Sequence, residues 1–289
     1  MKRICFFSIV FLFVLQCLSR SVYAQPDKVK SIDGVEISFE ISGEGDVALV
    51  FVHGWSCDKS YWKNQVDLFS KNYKVITVDL AGHGQSGLER EDYKVEFFGE
   101  DVATVVDYLK LNKVVLIGHS MGGAVILEAA KKLPGKVIGL IGVDTYQSFK
   151  DDWTSEQKEG FLKPIKENFV SATQGFVRSM FPQNADTVLV NKVAEDMSSA
   201  PPDVAISAMR NLFYYDPIPT LEKIDLPVVS INCDMYPVSI EENKKYVKDY
   251  EVKFMKGVGH FLMMENRDEF NGLLLESINK LLSIEEYEK

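Results

Sequence analysis

Cysteine and histidine are scarce in this chain, with four of each among 289 residues. So few cysteines cannot staple a chain of this length, which excludes a disulfide scaffold. Neither residue clusters with carboxylates at metal-ligand spacing, so no metal is expected. No block of lysines and arginines stands out, and the formal charge is −10, from 32 basic and 42 acidic residues. Nucleic acid and anionic membrane surfaces are therefore not expected partners. A glycine-rich phosphate-binding loop is also missing, and no cofactor is implied. With 46% hydrophobic and 26% charged residues, the composition is that of a globular chain, not of a disordered or low-complexity one. Its length can bury a full core without covalent or metal cross-links.

One long apolar run stands at the start. Lys2 and Arg3 precede the almost wholly apolar stretch Ile4–Leu18, and Val22 and Ala24 put small residues at −3 and −1 of a cleavage point after Ala24. This is the layout of a secretory signal peptide over residues 1–24. The run falls short of the roughly 20 residues of a bilayer-spanning helix, so no stable membrane insertion is expected after cleavage. Gln16 before Cys17 fits a lipid-anchoring signal poorly. A secreted or periplasmic protein is expected, its cysteines then reduced to Cys57 and Cys233.

Beyond the leader, short β-rich runs alternate with amphipathic helical stretches. Val35–Ile41 and Val47–Val52 read as strands separated by a Gly43–Asp46 turn, Lys74–Val78, Val114–Ile117 and Val137–Val143 as strands, and Val228–Ile231 and Val252–Met255 as later ones. Tyr61–Phe69, Phe97–Lys110, Ala124–Leu133 and Arg267–Leu282 read as helices. Continuous apolar strands alternating with helices imply an α/β fold, a mainly parallel sheet covered on both faces. One stretch breaks the rhythm. Between Tyr146 and Pro217 the patterns are helical and rich in aromatics, among them Trp153, Phe161, Phe176 and Phe213. Such a length between two strands is too great for a plain connection. It is expected to be a helical lid insertion (146–216) within a core formed by 25–145 and 217–289.

The strongest chemical signal is Gly118-His119-Ser120-Met121-Gly122, a G-x-S-x-G string. The string alone is weak, but an apolar strand ends directly before it and a helix begins directly after it, the strand–turn–helix setting that this motif needs. Glycines are required because the turn is sharp. The turn would push the Ser120 hydroxyl into the crevice at the carboxyl edge of the sheet, with the N-terminal N–H groups of the new helix aimed at the same place.

Four segments, VFVHGW at 50–55, VDLAGHGQS at 78–86, IGHSMGG at 117–123 and GVGHF at 257–261, resemble the α/β-hydrolase superfamily in its single-domain lipase, esterase and haloperoxidase-like branch, in that family's order and spacing. The resemblance covers nearly all of residues 29–285. It implies an eight-stranded, mostly parallel sheet with helices on both faces and the lid inserted after the sixth strand. It also sets Cys57 and Cys233 at the ends of strands separated by others, too far apart to bridge, so free thiols are expected.

Acyl transfer develops a negative charge on a carbonyl oxygen, which two prearranged N–H donors stabilise. The first donor is expected at Met121, the residue after the nucleophile. The second is implied at Trp55, in the segment matching the family's HGX loop. A serine hydroxyl also needs a base. His119 adjoins the elbow and should point elsewhere, His53 belongs to the HG loop, and His83 sits in a turn. His260 follows Ser120 in the chain and matches the family's last-loop histidine. The orienting acid stays open between two residues. Asp234 follows the seventh strand, the family's usual place, though PVVSINCDMYPVS lacks the usual glycine and Tyr236 stands in the usual slot. Asp144 follows the sixth strand in LIGVDTYQ, the place a minority of the family uses. Asp234 is put slightly ahead on chain order, and Asp79 is read as a loop brace.

A serine nucleophile excludes the carboxylate-dependent dehalogenase and epoxide hydrolase branches. A small-molecule substrate follows, and the expectation is a serine hydrolase of a small, largely apolar carboxylic ester, lactone or thioester. An aminopeptidase or amidase is the second reading, for which Glu156, Glu159, Glu167 or Glu195 of the lid would hold a substrate amine. A slow-turnover ligand sensor is the reading from another class.

Overall fold

The computed structural model describes residues 27–150 and 152–287 of the chain. The expected leader, residues 1–24, lies outside them. In chain order the elements are strands β1 (Asp27–Lys30), β2 (Glu36–Ser42) and β3 (Ala48–Val52), helix α1 (Lys63–Phe69), β4 (Lys74–Val78), α2 (Val95–Tyr108), β5 (Val114–His119), α3 (Met121–Lys132) and β6 (Val137–Val143). Four helices follow, α4 (Ser155–Glu167), α5 (Phe169–Ser179), α6 (Thr187–Ser198) and α7 (Pro202–Tyr214). The chain ends with α8 (Ile218–Leu221), β7 (Val228–Cys233), α9 (Ile240–Asn243), β8 (Tyr250–Met255), α10 (Leu262–Glu265) and α11 (Arg267–Tyr287).

The strands form one eight-stranded sheet in the order β1-β2-β4-β3-β5-β6-β7-β8. β2 is antiparallel to both β1 and β4, and every other pairing is parallel. The central strands are the continuous apolar runs ALVFV, KVITV and VVLIGH. They are buried almost throughout, as expected for strands covered on both faces. The glycine turn after β2 joins it to β3 in sequence, but the two do not pair. β2 lies against β4, and β3 runs between β4 and β5.

This order puts a change of direction at the centre of the sheet. From β3 the chain steps outward to β4, crosses back over β3 to β5, and then continues to β6 on the far side. A crevice opens at the carboxyl ends of strands where such steps diverge. Register sharpens the placement. Val52 lies opposite Gly118 and His119 opposite Val143, so the residues just beyond these pairs, Gly54, Ser120 and Asp144, gather at one edge.

The insertion between β6 and β7 consists of α4–α7, and polar side chains cap the first three of these helices. Thr154 and Gln157 form a reciprocal cap at the start of α4, Asn168 and Asp186 cap α5 and α6, and Pro202 occupies the first turn of α7. The aromatics hold these helices together, with Phe161 at 4.9 Å from Phe176 and 5.1 Å from Phe213, ring centre to ring centre.

Candidate active site

The elbow is built by close contacts that only glycine allows. A Cβ on Gly118 would stand 2.2 Å from the Gly122 carbonyl oxygen, and one on Gly122 would stand 2.6 Å from the Val52 carbonyl oxygen. Between them Ser120 has φ 52° and ψ −117°, a left-handed conformation that costs a non-glycine residue about 1–3 kcal/mol. The Ser120 N–H donates to the Val143 carbonyl at 3.0 Å, and its carbonyl accepts from Gly123 N–H at 2.9 Å. α3 begins at Met121, three residues earlier than its apolar pattern suggests, so the Met121 N–H is one of the helix's unpaired first-turn donors. The Gly54 backbone lies against the nucleophile, since a Cβ there would come to 3.2 Å from Ser120 Cβ.

His260, five residues past the end of β8, donates from Nδ1 to Asp144 Oδ2 at 2.5 Å. The other carboxylate oxygen, Oδ1, accepts from Cys233 N–H at 2.9 Å. Asp144 is 2% exposed and has φ 44°. A proton held at Nδ1 leaves the Nε2 lone pair of His260 available. Asp234, the first choice from the sequence, does not reach the imidazole and is corrected to Asp144 for this contact. The Asp234 N–H donates to the Met255 carbonyl at 3.1 Å, which continues the β7–β8 ladder and leaves its side chain exposed, taking only the Gly257 N–H at 3.4 Å.

The other histidines are neutral bracing groups. His119 is buried and donates from Nε2 to the His260 carbonyl at 2.9 Å, with the two rings 4.6 Å apart. Burial, and then His260, hold His119 well below the usual imidazole range. His53 donates from Nδ1 to the Gly54 carbonyl at 2.7 Å and accepts the Leu80 N–H at 3.0 Å; burial lowers its pKa. His83 donates to the Ala81 carbonyl at 2.9 Å, and burial followed by neighbouring His53 pushes it down to about 3. Asp79 is the loop brace expected of it. It pairs with Lys59 Nζ at 2.6 Å and accepts the N–H groups of Lys59 and Gln85 at 2.8 and 3.0 Å.

Ser120, Met121, Gly54, Trp55, Asp144 and His260 all line one cavity of about 700 Å³. Its remaining wall is mostly apolar and comes largely from the insertion, including Phe161, Phe176, Met197, Met209 and Phe213. The insertion's aromatics are thus both its own packing and the cavity wall. Glu156, Glu159, Glu167 and Glu195 stand outside that lining, and Glu159 pairs with Lys166 at 2.8 Å. The indole of Trp55 donates to the Ala205 carbonyl of α7 at 2.7 Å. Cys57 and Cys233 are buried free thiols. Burial, then Asp196, raises the Cys57 pKa, while burial and Asp144 push Cys233 up to about 12. Neither is primed as a nucleophile. Among the described residues no group of three or more histidine, cysteine or carboxylate side chains is placed to hold a metal, and no helix is long and apolar enough to cross a membrane.

Some of this machinery had no signal in the sequence. The Trp55 indole contact and the His119 bond to the His260 carbonyl join segments distant in the chain, 150 and 141 residues apart.

A model of the alpha/beta hydrolase family matches residues 49–273. The chain belongs to this family. Within it the chain is 26% identical over 283 residues to the non-heme chloroperoxidase CPO-A1 of Kitasatospora aureofaciens, covering 86% of this chain and 98% of the relative. It is 22% identical over 260 residues to the karrikin insensitive 2 receptor CA of Petunia hybrida, covering 85% and 96%. Among solved structures, a thermophilic esterase from Thermogutta terrifontis shares the alpha/beta hydrolase fold with a TM-score of 0.78 at 24% identity, over 89% of this chain and 99% of that one.

Proposed function

We propose that this protein is a serine hydrolase that cleaves small, largely apolar carboxylic esters, lactones or thioesters through an acyl-enzyme. The observation that carries the reading is the 2.5 Å bond from His260 Nδ1 to buried Asp144, beside a serine on a strained elbow that opens on the same apolar cavity. Ser120 Oγ attacks the acyl carbon and His260 Nε2 takes its proton. Asp144 holds the tautomer and stabilises the imidazolium. The N–H groups of Met121 and Trp55 receive the oxyanion. His260 returns the proton to the leaving group, and water cleaves the acyl-enzyme by the same route. The leader read over residues 1–24 supports a site of action outside the cytoplasm, in the periplasm or medium.

The test is labelling with a fluorophosphonate and steady-state turnover of a series of p-nitrophenyl esters. Labelling and turnover are expected in the wild type and neither in Ser120→Ala. Ester turnover that survives Ser120→Ala would refute the reading.

A ligand sensor is the second reading, and one observation favours it. The insertion is hydrogen-bonded directly to both loops of the site, at Trp55 and at His260, and one relative is described as a receptor. Sustained turnover supports the enzyme, whereas a single burst followed by a shift in insertion fluorescence supports the sensor.

A further inference from the structure

Both backbone polar groups of His260 have partners. The His260 N–H donates to the Met180 carbonyl at 3.0 Å, and its own carbonyl accepts from His119 Nε2 at 2.9 Å. The residues on either side are held by one side chain. Glu265 Oε2 accepts the Gly259 N–H at 2.9 Å, and Glu265 Oε1 accepts the Phe261 N–H at 3.1 Å. The Glu265 N–H in turn donates to the Phe261 carbonyl at 3.0 Å, which closes a ring between α10 and the loop. We propose that Glu265 is a positioning residue for the reaction: its carboxylate straddles the loop and fixes the imidazole of His260 between Asp144 and Ser120.

The geometry matches a carboxylate. Two donors separated by one residue converge on one side chain, each bonded to a different oxygen, and a carboxylate is the side chain that offers two acceptor oxygens in that arrangement. Bonds from N–H to a charged acceptor are also the stronger kind. Burial raises the Glu265 pKa while the two N–H bonds oppose that rise, so the side chain bears a desolvation cost at this place. Gly259 explains why the clamp is needed: a Cβ there would stand 2.2 Å from the Met180 carbonyl oxygen. The loop therefore has glycine beside the base and lacks the local stiffness of side-chain packing there. A misplacement of about 1 Å costs on the order of 10²-fold in rate.

This inference rests on the serine-hydrolase reading, and the test separates the two. In Glu265→Gln the amide offers one oxygen and sets its NH₂ against the other backbone N–H, so one of the two bonds is lost. The expected result is a fall in kcat of about 10- to 100-fold with KM within about twofold, and a matching fall in the rate of fluorophosphonate labelling. The second expectation is non-additivity: because Glu265 acts through His260, its loss and that of His260→Ala do not multiply in the double variant. Where Glu265→Gln gives no folded protein by circular dichroism, Glu265→Asp replaces it, with a smaller fall in kcat of the same character. A folded variant with wild-type kcat, or losses that multiply, would overturn the positioning role and leave the serine-hydrolase reading standing. Wild-type protein that neither labels nor turns over esters would overturn both.

Discussion

Exchanging Asp144 for asparagine changes one atom in shape and reverses the hydrogen-bonding of the site. Both oxygens of Asp144 accept bonds, from Cys233 N–H at 2.9 Å and from His260 Nδ1 at 2.5 Å. Asparagine has one acceptor and one donor. If its oxygen faces Cys233, its NH₂ meets Nδ1 and drives the imidazole proton to Nε2, where in the proposed mechanism it blocks proton transfer from Ser120. If its oxygen faces His260, the NH₂ meets the Cys233 N–H, donor against donor, in a buried site. Loss of the correct tautomer costs on the order of 10⁴ in kcat, which at about 1.4 kcal/mol per tenfold is roughly 5–6 kcal/mol of transition-state stabilisation. Asp234→Asn is the matched control. It is exposed and holds only a 3.4 Å bond from Gly257, so its kcat/KM should stay within about twofold of wild type. Both variants are assayed on one p-nitrophenyl ester after their melting temperatures are compared. An Asp234→Asn loss larger than that of Asp144→Asn, or an Asp144→Asn loss below tenfold, would refute the assignment of the acid.

Two further outcomes concern stability. His83 is held down at about 3 by burial, against about 6.5 in an unfolded chain. A depressed folded value means that the unfolded state binds the extra proton, so this contribution is complete above pH 6.5 and is lost as pH falls toward 3. The loss for His83 alone amounts to roughly 2 kcal/mol by pH 5. Urea unfolding of His83→Asn should therefore show a flatter decline between pH 6.5 and 5 than the wild type, and equal slopes would contradict this. Lys59→Met leaves Asp79 buried without its ammonium partner, which should lower the unfolding free energy by about 3–5 kcal/mol in urea denaturation. A loss under 1 kcal/mol would mean that the N–H bonds from Lys59 and Gln85 suffice for the carboxylate.

The parts of the molecule that depend on local pattern were readable from the chain. KVITV and VVLIGH announce buried strands, and Gly118-His119-Ser120-Met121-Gly122 between apolar strand and helix announces the elbow. The parts that depend on pairing were not. Nothing in the run from Glu36 to Val52 says that β2 pairs with β4 instead of β3. The choice between Asp144 and Asp234 is likewise a matter of register: both follow adjacent strands, and only the turn taken after Cys233 sends Asp234 outward. The start of α3 was hidden because Gly122 and Gly123 are poor helix formers that stand there to let helix and strand approach. Glu265 lies in LMMENR, an ordinary helical string. Its importance appears only when the loop five residues earlier folds back over it.

The two bonds by which the insertion reaches the loops of Trp55 and His260, at the carbonyls of Ala205 and Met180, are accepted by main chain, not by side chains. Mutational drift can therefore recolour the wall formed by Phe161, Met197, Met209 and Phe213 without severing either tether. On the serine-hydrolase reading, selectivity and turnover are in this way separately tunable, and an engineer who grafts a foreign cap onto this core must preserve two peptide groups before choosing any residue.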